Sequence, residues 1–147
     1  MGPDAAIYYA AIGSGKIYRI NPPPAKYFTL TPCRVLDTRN SNGSLGGPAL
    51  VGGATRTFAI ANQCGIPADA LSVSVNVTIT GPTAQGNLTF YPAGTPPPLV
   101  STINYRVGQT RANNAVLPLG AGGDFVVLCI QASGSVHFIL DVNGYFQ

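Results

Sequence analysis

The chain has 147 residues, enough for one domain with a substantial core. Only 9 % of residues are charged, glutamate is absent, and glycine and proline number 18 and 13, which excludes a mostly helical protein. The net charge of +3 comes from Lys16, Lys26 and six arginines, no two adjacent, which excludes the basic stripe expected of a nucleic-acid partner.

No run is long and apolar enough to span a membrane. The opening Met1-Gly2-Pro3-Asp4 lacks a basic leader segment, so the compartment has to be argued from the cysteines. Because charge is scarce, the surface must be Ser, Thr, Asn and Gly. That suits hydrogen bonding to sugars, glycan attachment, or close β-packing against further copies of the chain.

Ala5 to Ile20 is rich in strand formers, but its apolar residues fall on both parities. Asn21-Pro-Pro-Pro-Ala25 follows as a stiff spacer. Two readings compete. Gly13-Ser14-Gly15 turns the segment into a hairpin on its own sandwich, or the segment extends into a groove of the next subunit, as in strand donation. Fully extended, Ala5 to Ile20 would reach about 50 Å at about 3.3 Å per residue. Its assembly residues would be Ile7, Tyr8, Tyr9, Ile12, Ile17, Tyr18 and Ile20. Burying six of these, all but Tyr8, is worth on the order of 10 kcal/mol before ordering costs. The chain thus divides into an arm and spacer, 1–26, and a body, 27–147.

The body starts with a strand from Tyr27 to Thr38, then a long loop of turn residues from Asn40 to Gly53. Short strands are expected at Arg56 to Ala61, Gly86 to Tyr91, Val100 to Tyr105, Ala115 to Leu119, Asp124 to Gln131 and Ser135 to Val142. The clearest strand is Leu71 to Thr80, where Val73, Val75, Val77 and Ile79 alternate with short polar residues. Even spacing of short strands and turns predicts an all-β, jelly-roll-like or Greek-key antiparallel β-sandwich preceded by an N-terminal extended β-arm.

Cys33 and Cys64 each lie beside turn residues, whereas Cys129 lies in an apolar run. The readings are a Cys33–Cys64 disulfide with a buried free Cys129, implying an oxidising, extracellular setting, or three reduced thiols. Three cysteines and one histidine without close ligand spacing point to no metal and no cofactor. Asp37 and Arg39, two apart on one strand face, are read as a structural ion pair. His137 and Asp141 would lie about 13 Å apart along a strand, too far to touch, so the chain is not read as an enzyme. Asn42, Asn76 and Asn87 begin Asn-X-Ser/Thr sequons.

Pro32-Cys33-Arg34-Val35-Leu36-Asp37-Thr38-Arg39 resembles the opening of a β-domain common in secreted bacterial proteins, often following enzymatic or repeat regions. The resemblance continues through Gly46-Gly47-Pro48-Ala49-Leu50, Cys64-Gly65-Ile66-Pro67-Ala68, Val75-Asn76-Val77-Thr78 and Gly108-Gln109-Thr110-Arg111-Ala112-Asn113, ending at Asp141-Val142-Asn143-Gly144-Tyr145-Phe146. It covers about residues 27 to 146 and implies a secreted or cell-surface bacterial protein in which Cys33 and Cys64 pair. It implies no activity, and the arm lies outside it. The expected function is an extracellular structural subunit that assembles head-to-tail into a filament with copies of itself. The alternative is a secreted carbohydrate-binding or adhesion module using Tyr8, Tyr91, Tyr105 or Tyr145 as sugar-stacking platforms.

Overall fold

The computed structural model describes residues 7–11, 16–20 and 24–147, with side chains from residue 24 onward. The described elements are all strands. In the arm, β1 (Ile7–Ala11) and β2 (Lys16–Ile20) pair antiparallel as a separate two-stranded sheet. Their register sets Ile7 opposite Ile20 and Tyr9 opposite Tyr18. The arm is therefore a hairpin and not one sixteen-residue strand. Each strand supplies the main-chain partners that an extended arm would leave to water or to a neighbour. Ile12 lies outside the described residues.

The body contains β3 (Tyr27–Asp37), β4 (Leu50–Val51), β5 (Thr55–Ala59), β6 (Ser72–Thr80), β7 (Gly86–Pro92), β8 (Ile103–Tyr105), β9 (Arg111–Pro118), β10 (Asp124–Gln131) and β11 (Ser135–Phe146). One sheet runs β5-β10-β7-β8 and the other β3-β11-β6-β9, with β4 also pairing β11. With the short β4 set aside, the eight remaining strands in chain order occupy one sheet as first, eighth, third and sixth. The other sheet holds the second, seventh, fourth and fifth. This alternation, with each of these strands pairing antiparallel to its neighbours, is a jelly roll.

β6 is an inner strand, and its alternation has the expected effect. Val73, Val75, Val77 and Ile79 are wholly buried, while the residues between them are half-exposed. Four phenylalanines tie the sheets together across the core. The Phe138 ring packs edge-on against Phe58 and Phe90, with centroids 5.2 and 5.7 Å away, and both of those lie 5.7 Å from Phe125.

Four local expectations change. The loop from Asn40 to Gly53 contains β4 and is clamped by Arg56, whose guanidinium donates to the carbonyls of Gly43, Pro48 and Gly47 and lies over the Phe58 ring. β8 is shorter than the Val100–Tyr105 run and begins only at Ile103. β9 begins at Arg111, four residues before the expected Ala115, and β11 runs on to Phe146.

Candidate functional site

The charged residues of the opening and closing motifs meet on one sheet face. Arg34 on β3 grips Asp141 on β11 through Nε and Nη2, at 2.8 and 3.1 Å. Arg39 donates Nε to Asp37 Oδ1 at 2.9 Å and Nη2 to Oδ2 at 2.6 Å, while its backbone N–H also donates to Oδ1 at 3.1 Å. Arg34 comes within 3.7 Å of Asp37 and links the two pairs. The Arg39 hydrogen bonds hold the buried Asp37 carboxyl below its usual range, although burial opposes them. Each carboxylate is occupied by a guanidinium fork, so the cluster fastens β3 to β11 and leaves no base for chemistry.

His137 does not reach a carboxylate in this arrangement. Its Nδ1 lies 3.0 Å from the Thr38 carbonyl and 3.2 Å from Thr38 Oγ1. The carbonyl fixes Nδ1 as a donor to it. Thr38 Oγ1 in turn accepts from the Phe138 N–H at 2.9 Å. This histidine ties the end of β3 to β11. Among the described residues no group of three His, Cys, Asp or Glu side chains could hold a metal ion.

Cys33 and Cys64 form a disulfide that closes a loop of 31 residues, and Cys129 is free and buried. Tyr105 O–H donates to Gln131 Oε1 at 2.8 Å beside the Cys129 sulfur, and burial raises both the tyrosine and the thiol pKa.

The tyrosines expected as sugar platforms do not form one. Tyr91 and Tyr105 are buried, because the segment 93–102 folds back along β7 and the Tyr105 ring faces the core. Tyr145 stacks on Phe28 at 5.1 Å, and the side chain of Tyr8 is outside the described set. Among the described residues the exposed aromatics are instead Tyr27 and Phe28, at the start of β3, where the arm joins the body.

The three sequons differ in access. Asn42 is exposed in the long loop. Asn76 donates to Thr78 Oγ1 at 3.2 Å on the half-exposed face of β6. Asn87 is half-buried, and Thr89 of its sequon is buried.

Sequence reading missed two features. One is the outer edge of β9. Leu119 N–H donates to Leu71 O, so the odd-numbered main-chain groups at this end of β9 face β6. Those of Ala112, Asn114 and Val116 face outward, and their N–H groups have no partner among the described residues. Pro118, whose lack of an N–H suits an outward position, was the sequence signal for this edge. The other feature is a cleft of about 970 Å³ at the β7–β8 end, built from residues 85–87, 104–106, 109, 111 and 130–132. It had no motif to announce it.

No family model and no curated protein matches the chain. Among solved structures it is similar to the coat protein of Tobacco streak virus. In the coat protein dimer the match has 9 % identity and a TM-score of 0.40 over 86 % of this chain and 89 % of that one. A second crystal form gives 10 % identity and a TM-score of 0.38 over 84 % and 89 %.

Proposed function

We propose that the protein is an extracellular structural subunit that polymerises head-to-tail, its N-terminal hairpin adding to the sheet of the next copy. The observation that carries this reading is the position of the open β9 edge. β3, which the arm leads into, is one edge of the sheet β3-β11-β6-β9, and β9 is the opposite edge. Donor and acceptor on opposite edges make a heterologous contact, which passes from subunit to subunit and does not close as a two-fold pair. The arm as a hairpin retains an outer strand edge for β-addition, so donation needs no unfolding of β1 from β2. The sandwich is the bead, and the six-residue stretch 21–26, with its three prolines, is the spacer. Placement outside the cell rests on the Cys33–Cys64 bridge.

The test compares the full chain, a form beginning at Tyr27, and Asn114→Pro by electron microscopy and light scattering. Proline at an outward-facing edge position removes a donor needed by an incoming strand but spares the ladder to β6. Filaments from the full chain alone are the expected result. Monomers from the full chain, or filaments from the form lacking the arm, would overturn the reading.

A further inference from the structure

We propose that the cleft beside β7 and β8 binds carboxylate-bearing oligosaccharides, that is, chains of uronic-acid sugars. The inference stands apart from the assembly reading, because no arm residue enters it. Ile130 on β10, Asn87 on β7 and Asn104 on β8 are register partners, so they form one lateral row on the outer face of the four-stranded sheet. At a strand spacing of about 4.8 Å, the two amides and the aliphatic side chain span a surface the width of a sugar.

The row beneath is closed. Gly86, Tyr105 and Gln131 are also register partners, and Tyr105 and Gln131 are buried. Gln131 accepts from Tyr105 O–H and donates Nε2 to Ser133 O at 2.8 Å, so its hydrogen-bonding groups are occupied. A Cβ on Gly86 would come within 2.7 Å of Gln131 Cβ, so the floor depends on close approach of β7 to β10. Recognition therefore falls to the groups above this floor.

Those groups carry positive charge without its usual complement. Arg106 and Arg111 line the cleft, no carboxylate does, and every described ion pair belongs to the Arg34–Asp37–Arg39–Asp141 cluster. Arg111 is braced on the Asn104 carbonyl at 3.4 Å, and Gln109 Oε1 accepts the Arg106 backbone N–H at 3.0 Å. The turn holding both guanidinium groups is thus ordered against β8 before any ligand arrives.

Asn87 Oδ1 is buried without a partner among the described residues. Such an acceptor calls for an explanation. A ligand hydroxyl donating to this amide would supply the missing partner.

The combination specifies the ligand class. Guanidinium groups take carboxylates in a fork, planar side-chain amides take neighbouring hydroxyls, and the half-exposed Ile130 offers contact to a C–H face. With no exposed aromatic in the cleft, recognition does not depend on ring stacking.

The test titrates the full chain with hexamers of galacturonate, glucuronate and mannuronate, each beside its methyl ester, by calorimetry and by NMR of the side-chain amides. At least one acid should bind and shift Asn87, Asn104 and Gln109. Its methyl ester, Arg106→Gln with Arg111→Gln, and Asn104→Ala should each weaken binding at least tenfold, and added salt should weaken it too. These three side chains are exposed, so amide spectra outside the cleft should be unchanged. The proposal is overturned if none of the acids binds, if ester and acid bind alike, or if inorganic phosphate displaces the hexamer at equal concentration.

Discussion

The ring of Tyr27 lies over Gly144 at the end where β3 meets β11. A Cβ built on Gly144 would come within 2.5 Å of Tyr27 Cε2 and Cζ. Tyr27 also packs on Phe146 with centroids 5.0 Å apart, while Phe28 stacks on Tyr145 at 5.1 Å. The closing Asn143-Gly144-Tyr145-Phe146 motif is thereby explained. The aromatic covers a glycine on the paired strand, and the two residues that follow the glycine complete two ring pairs.

Gly144→Ala should destabilise the protein, and the loss should depend on Tyr27. The Tyr27 ring is 47 % exposed and can swing outward, so the cost should be about 1 kcal/mol and not that of overpacking a closed core. Urea unfolding of Gly144→Ala, Tyr27→Ala and the double variant gives the coupling. Additive effects would remove the ring–glycine contact as the reason for the motif.

The Cys33–Cys64 bridge closes 31 residues, so its loss should cost about 3–4 kcal/mol through the entropy of the unfolded chain. Cys64 itself has a backbone φ of 52° in the left-handed region. Once the bridge is gone, a side chain there carries strain and nothing in return. Cys33→Ser with Cys64→Gly should therefore be more stable than Cys33→Ser with Cys64→Ser by about 1 kcal/mol. Denaturation midpoints of the two double variants decide it, and equal midpoints would count against a strain at Cys64.

How much could be read in advance varied with the physics of each segment. β6 was legible because one face meets the core and the other does not, so burial follows the period of two in its side chains. β10 was legible from its apolar run. β7 was half legible: the alternation of its side chains sets Leu88 and Phe90 on one face, which is buried, but Thr89 and Tyr91 on the other face are buried too. The segment responsible returns over them, with Thr102 N–H donating to Leu88 O and Thr89 Oγ1 donating to Val100 O. No local periodicity encodes a cover supplied by residues ten positions on. The Arg34–Asp141 fork was hidden for a similar reason, since its partners are 107 residues apart and only strand register unites them. Asp37 with Arg39 was accessible because both lie on one short stretch. The cleft was not accessible at all: its amides and arginines come from four elements and resemble ordinary surface residues until the jelly roll gathers them.

Cys129 should resist thiol reagents in the folded protein. Its sulfur is fully buried beside Tyr105 O–H, and burial raises its pKa. Labelling with a chromogenic disulfide reagent at pH 8 should follow global unfolding, with one thiol reacting in urea and none without it. The same shift has a signed effect on stability. Because the folded thiol ionises later than the unfolded one, its contribution is complete below about pH 8.5 and is lost as pH rises toward the folded value. Cys129→Ala should flatten that alkaline decline, and an unchanged slope would place its cause elsewhere.

Asp37 supplies the corresponding effect in acid. The Arg39 hydrogen bonds depress its folded pKa, so the unfolded chain takes up the proton first as pH falls. The stabilising contribution is therefore full above about pH 4 and is lost as pH drops through the lower folded value. Asp37→Asn should cost about 2 kcal/mol at pH 7, the scale of a buried hydrogen bond to a charged group. The gap between the two proteins should narrow steadily below pH 4. Unfolding free energies measured from pH 7 down to pH 2 supply the comparison. A gap that stayed constant with pH would mean that packing around Asp37, and not its charge, is what fastens the end of β3.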